Sequence, residues 1–297
     1  MVLKKVFLFQ ILIWASFSNI CGQDDLLALL DEDEEKKEIE YATASFKTNR
    51  VINMHSLENT GAGVFDFKIS HRFGFLNGGL YDLFGLDNAS IRLGGDLGIT
   101  DRLGIGFGRS SFEKTYDGFI KFKFLRQSTG RSNVPFTFAV VASGAIKTIR
   151  FQDETRENLF SSRLYYSYTG IIGRKFSESF SLQVSPGVLH RNLVATTEEK
   201  NDVASIGIAA RQKISSRLAI NAEYVYVLPD QLAPEYRNSF SIGFDIETGG
   251  HVFQLHFTNS TSMIEKGYIA ETVGDWGNAG VHFGFNVSRV FTVWRPE

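Results

Sequence analysis

The chain is poor in residues that build covalent or catalytic frameworks. Of its 297 residues, Cys21 is the only cysteine and 5 are proline. A lone cysteine excludes an intrachain disulfide and a thiolate ligand pair, and if Cys21 leaves with a signal segment no thiol chemistry is left. Long apolar runs are lacking too: after Gly22 no continuous stretch approaches the roughly 20 residues that a membrane-spanning helix needs. Neither sign of charge dominates. The 31 Lys and Arg against 33 Asp and Glu leave −2, which gives no basic patch for nucleic acid. There is no G-x-S-x-G, no H-E-x-x-H and no P-loop. Gly104-Ile105-Gly106-Phe107-Gly108 superficially resembles a dinucleotide motif, but it has no βαβ context and reads as a smooth strip on one face of a strand.

What the chain has instead is glycine, phenylalanine and alternation, with 28 Gly and 27 Phe. Phe65, Phe67 and Ile69 alternate with Asp66, Lys68 and Ser70; Ile91, Leu93, Leu97 and Ile99 with Arg92, Gly94, Asp96 and Gly98; Tyr116, Ile120, Phe122 and Phe124 with Asp117, Lys121 and Lys123. A period of two gives each strand one apolar and one polar face. Repeated over segments of roughly ten residues, it is the signature of an all-β transmembrane antiparallel up-and-down β-barrel, with lipid outside and polar side chains inside. A soluble β-sandwich also alternates, but runs such as 161–174 and 280–293 are long for its strands.

The pattern predicts twelve strands, at 63–74, 90–99, 103–109, 116–125, 135–146, 161–174, 180–190, 203–214, 218–227, 238–247, 251–259 and 280–293. Short connections (100–102, 175–179, 215–217, 248–250) alternate with longer ones, with 126–134 the exception. Short periplasmic turns and long external loops are the outer-membrane rule, which places both termini in the periplasm. Thr248-Gly249-Gly250 is a tight hairpin signal. Trp294, Tyr165, Tyr166, Tyr168, Tyr224 and Tyr226 are candidates for interfacial girdles, and Arg289 breaks the apolar face of the last strand near its end.

Ahead of the barrel, residues 1–22 read as a secretory signal, with Lys4 and Lys5 before an apolar core. A lipoprotein signal acylating Cys21 is the rival reading, although Ile20 is not the small residue it prefers. Residues 23–62 form an acidic N-terminal extension, periplasmic or lumenal. Asp24–Leu30 suggest a short amphipathic helix that fades into the charge run Asp31–Glu40. That run is expected to hang in the periplasm, where it could meet a partner protein; threading into the barrel mouth, where Lys121, Lys123 and Arg211 offer partners, is the alternative. Phe46–Met54 would be a thirteenth strand, so it is placed outside the wall, in the periplasm or folded into the lumen. Residues 63–297 form the barrel.

The segment Gly249-Gly250-His251-Val252-Phe253-Gln254-Leu255-His256-Phe257-Thr258-Asn259-Ser260 resembles an uncharacterised, domain-of-unknown-function family of bacterial outer-membrane β-barrel proteins. So do Arg156-Glu157-Asn158, His190-Arg191-Asn192-Leu193, Tyr236-Arg237-Asn238-Ser239 and Gly274-Asp275-Trp276-Gly277. The resemblance runs from about Glu40 onward. It implies the fold and location in the outer membrane; lipid is the expected partner of the apolar faces, and the aromatic-ended last strand resembles the signal read by barrel-assembly machinery. It implies no activity, site or cofactor.

The inward set is predicted to be Asp66, Lys68, Arg92, Asp96, Asp117, Lys121, Lys123, Arg163, Arg211, Glu223, Asp245, Glu247, His256 and His282. Such charges must pair across the lumen or meet water. They either interlock and plug the barrel or line a narrow hydrated path, and a diameter of twelve strands does not decide between the two. His256 and His282, within one or two rungs of each other, could join Gln254 or a loop acid on a transition metal, but they are expected to belong to the polar network, and no catalytic, metal or cofactor site is assigned. A lipid hydrolase would need a serine–histidine pair on the outer wall, whereas these histidines point inward with Asn259 and Ser260 at a loop edge. The expected role is a narrow channel or transport-related pore for small polar solutes, the alternative a sealed barrel with a structural or surface-binding role. On a gel the unboiled protein is expected to migrate faster than the boiled one, and protease is expected to reach a tag in the 260–279 loop on intact cells; access only after outer-membrane permeabilisation would reverse the topology.

Overall fold

The computed structural model describes residues 38–151, 155 and 157–295. The expected signal segment, Cys21, the short helix expected at Asp24–Leu30 and the acidic run before Glu38 lie outside the described residues. Among those described, no helix is long and apolar enough to cross a membrane, so crossing falls to the strands. Residues 38–40 and 129–133 form a small unit of their own, built on a short two-stranded pairing.

The larger unit is a closed barrel of twelve antiparallel strands. They are β1 (Val64–Phe75), β2 (Ala89–Gly98), β3 (Leu103–Ser110), β4 (Tyr116–Leu125), β5 (Thr137–Ile146), β6 (Leu164–Lys175), β7 (Phe180–Arg191), β8 (Asp202–Lys213), β9 (Leu218–Val227), β10 (Ser239–Thr248), β11 (His251–Thr258) and β12 (His282–Thr292). β12 returns to β1 with Thr292 opposite Val64. Closure leaves no unpaired edge, the condition for placing backbone amides in hydrocarbon.

Alternation sets the two faces. Along β3, Gly104, Gly106, Gly108 and Ser110 are buried, while Ile105, Phe107 and Arg109 face out. Along β8, Ser205, Gly207, Ala209 and Arg211 are buried, while Ile206 and Ile208 face out. The glycines of β3 have a use. A Cβ on Gly108 would sit 2.3 Å from the Arg92 guanidinium, so the bare strip is what lets Arg92 of β2 reach across β3 to Asp117 of β4. The turn after β10 is the two residues Gly249 and Gly250, with Gly250 at φ +118°.

The lumen is filled from both ends. From the short-turn end, residues 45–57 fold inside the wall as a hairpin, bridged between Arg50 and His55 and closed by Val51 N–H to Met54 O (2.8 Å) and Ser56 N–H to Asn49 O (3.0 Å). Phe46–Met54, expected to stay out of the wall either in the periplasm or folded into the lumen, is therefore in the lumen. Phe46, Val51 and Leu57 pack on the inward Phe119, Ala139, Val141, Ile171 and Ala209. From the long-loop end, the 259–281 loop folds back so that helix α1 (Glu265–Ala270) is wholly buried against β6 to β9. Sequence reading made this stretch an external loop; only Val273 and Trp276–Ala279 are exposed in it. Tyr165, expected in a girdle, instead points inward and joins Tyr268 and Ile269 in a second apolar cluster. Its neighbours Tyr166 and Tyr168 do face out.

Phe46→Ala and Leu57→Ala each remove a large side chain from the hairpin's apolar contact. Each is expected to weaken hairpin docking by about 3 kcal/mol, roughly a hundredfold faster amide exchange at residues 51–56, with heat-modifiable migration of the barrel unchanged. Exchange that stays at wild-type rates would show that the hairpin is held by polar contacts alone.

Candidate functional site

The site is the lumen itself. Lys68 of β1 bonds Asp96 of β2 at 2.7 Å and lies 3.3 Å from Asp66. Arg92 makes a two-pronged pair with Asp117, Nε to Oδ1 at 2.9 Å and Nη2 to Oδ2. Asp245 accepts from Gln254 at 2.7 Å, and Glu247 pairs with Lys47. These groups are inward, as is Lys123 of β4, whose partner is Glu58 at 3.7 Å. Arg163 departs from the expectation. It lies in the turn before β6, donating to Lys147 O (2.8 Å) and Ile149 O (2.5 Å) and stacking on Phe151, because β6 begins only at Leu164.

The remaining wall charges find the hairpin rather than each other. Glu223 of β9 accepts the backbone N–H groups of Ile52 (3.1 Å), Asn53 (2.9 Å) and Met54 (3.0 Å). Lys121 donates to the carbonyls of Ser56 (2.6 Å) and Glu58, and Arg211 to that of Ala44 (3.3 Å). The basic groups named as mouth partners for the acidic run are thus engaged by residues 44–58 instead. Arg72 of β1 reaches the Asn53 side chain at 2.5 Å, and Asn49 donates to Asp96 at 2.6 Å.

His256 and His282 sit on neighbouring strands, two residues apart in register. They do not converge on a metal geometry. His282 bonds Thr261 Oγ1 (2.9 Å) and Phe73 O (2.7 Å), and Gln254, the candidate third ligand, is committed to Asp245, Asn286 and Val51 O. Among the described residues no group of three or more His, Cys, Asp or Glu could hold a metal ion. Ser260 donates to Ser262 O, and Asn259 ties Phe240 N–H to Asn238 O and Gly274 O, so both hold the loop to the barrel rim.

Hairpin and loop meet at Glu265. Arg50 bonds its Oε1 at 2.8 Å, and His55 Nε2 lies 3.3 Å from the same oxygen. Burial alone would raise the Glu265 carboxyl, but Arg50 and His55 hold it well below the usual carboxylate range. Burial, reinforced by Arg50, pushes His55 down to about 3, so its imidazole is neutral at physiological pH. Beyond them, Lys266 bridges Glu113 (2.6 Å) and Glu271, and Lys147 joins Glu113. Burial opposes the Lys266 charge, yet those two acids raise its pKa.

Sequence reasoning missed Arg50, His55, Glu265 and Arg72. Arg72 was within reach, since it shares the parity of Asp66 and Lys68. The other three lie off the wall, in segments with no strand period.

Both groups at the junction make docking weaken in acid. Docked, His55 stays neutral below its ordinary value near 6.5 while the released hairpin takes up a proton; Glu265 adds to the loss once pH falls through the ordinary carboxylate range. The protection of the amides of residues 51–56 against exchange, relative to their intrinsic rates, is expected to fall steadily as pH drops from 6.5, by up to about tenfold per unit. His55→Gln is expected to flatten the response between pH 6.5 and 5; an unchanged slope would remove His55 from the junction.

The fold's likeness to solved structures is broad and sequence-poor. The chain is similar to the NanC porin, with 6% identity over 77% of this chain and 98% of that one at a TM-score of 0.48. It is also similar to the COG4313 outer membrane channel from Pseudomonas putida F1 (13% identity, 80% and 98% covered, TM-score 0.44) and to the outer membrane protein Omp33 of Acinetobacter baumannii (8%, 76% and 97%, 0.40). No curated protein matches the sequence. The model of the membrane bound beta barrel domain (DUF5777) matches residues 46–291, a span that begins with the lumenal hairpin and takes in the wall. The chain belongs to this family of membrane-bound β-barrel domains.

Proposed function

We propose that the barrel is a narrow channel for small polar solutes, closed at rest by residues 45–57 and oriented with its short turns and both termini in the periplasm. One observation carries this reading. The wall behind the hairpin is polar and charged, and the hairpin belongs to none of its strands. Two cavities beside the hairpin are about 20 Å³ each, room for one water, which supports a lumen closed while the hairpin is docked. Below it a vestibule of about 290 Å³, lined by Lys47, Asn49, Glu58, Asp66 and Glu247 among others, opens at the short-turn end. A two-stranded hairpin is roughly 5 by 10 Å in section, so its departure would leave a hydrated path wide enough for a sugar or short peptide. The acidic stretch before Glu38 would then serve as a handle for a periplasmic partner. The packed interior equally supports a sealed barrel whose external loops do the work. A hydrolase gains no support, because both inner histidines are committed to the lumen.

Planar-bilayer conductance separates the two readings. The full chain is expected to conduct little, and deletion of 45–57 is expected to give discrete openings. Deletion of 24–37 is expected to leave conductance unchanged, and a rise would give those residues a share in closure. A silent 45–57 deletion that still shows heat-modifiable migration would favour the sealed barrel.

A further inference from the structure

The wall holds its hairpin largely through atoms that every peptide has. Glu223 takes three successive backbone N–H groups. The carbonyls are taken by side chains from other strands: Val51 O by Gln254, Ile52 O by Asn286 (3.2 Å), His55 O by Gln183 (2.8 Å), Ser56 O by Lys121 (2.6 Å) and Ala44 O by Arg211 (3.3 Å). Each of these wall residues except Asn286 is at most 3% exposed.

The donors and acceptors are also segregated. Counting inward wall charges, β1, β2 and β4 carry Lys68, Arg72, Arg92, Lys121 and Lys123 against Asp66, Asp96 and Asp117, whereas β9 and β10 carry only Glu223, Asp245 and Glu247. In a ring of twelve strands these two arcs lie roughly opposite one another. The hairpin lies between them, its tip amides toward the acidic arc and its Ser56 and Glu58 carbonyls toward the basic one.

We propose that the lumen is a binding site for short peptides, and that residues 45–57 occupy it as an internal stand-in. A buried carboxylate or ammonium without a partner is costly, so a wall that has lost the hairpin favours a solute that returns both N–H donors and carbonyl or carboxylate oxygens to it. A short peptide supplies these along its backbone together with opposite terminal charges. A neutral sugar supplies hydroxyls but no charge for Glu223 or Lys121. This inference rests on the channel reading, since the solute must enter once the hairpin leaves.

The test uses the full chain with protease sites placed at the exposed Thr43–Ala44 and at Asn59–Gly61, folded first and then cleaved to release the hairpin, with heat-modifiable migration confirming an intact barrel. Proteoliposome swelling compares triglycine with glucose, which is similar in mass. Triglycine is expected to enter at least several-fold faster. Glu223→Gln is expected to bring the ratio close to one, and added synthetic peptide of residues 45–57 is expected to block both fluxes. Equal entry of the two solutes, or a ratio indifferent to Glu223→Gln, would overturn peptide selectivity while leaving a channel. No flux of either solute after cleavage would overturn the channel reading itself and this inference with it.

Discussion

A charge buried inside a barrel wall has to be answered by another group, and the rest of this structure follows from how that is done. Three acids on β1, β2 and β4 are answered locally by Lys68 and Arg92. Glu223, Lys121 and Arg211 are answered by peptide groups of residues 44–58. The cost of leaving such groups bare is several kcal/mol each, which is enough to hold a short hairpin in place without a strand to pair with. The hairpin in turn brings Phe46, Val51 and Leu57 onto an apolar patch made by Phe119 of β4, Ala139 and Val141 of β5, Ile171 of β6 and Ala209 of β8. Polar and apolar halves of the lumen thus fix one hairpin position between them.

The second constraint is continuity across the lumen. Because Arg50 and His55 sit near the hairpin tip and Glu265 at the start of α1, the segment entering from one end touches the loop entering from the other. The loop is secured outward by the Lys266, Glu113 and Lys147 chain of charges. Displacing either insertion strips a buried partner from the other, so the two are coupled by electrostatics rather than by any shared backbone.

The family motifs read from the sequence have a structural account at the long-loop rim. Arg191 pairs with Glu199 (2.7 Å), Asn192 reaches Leu164 O (2.8 Å), Asn238 accepts from Val227 N–H (2.9 Å) and Asp275 caps Gly277 N–H (2.7 Å). They fasten loops to strand ends. None of these four faces the hairpin, whereas Gln254 of the longest motif donates to its Val51 O.

What the sequence determined by itself was the wall. A period of two is local, so strand number, facing and turn positions could be read from residues such as Asp66, Lys68, Gly104 and Gly250, and even Arg163 failed only by lying one residue before its strand. What only the tertiary structure decided was the contents of the barrel. Residues 45–57 and 259–281 carry no strand period, and their burial depends on partners up to about two hundred residues away, such as Arg50 with Glu265 and Gln254 with Val51. Whether a charged inner face holds water or a folded segment is settled by which distant groups satisfy it, and no local pattern records that choice.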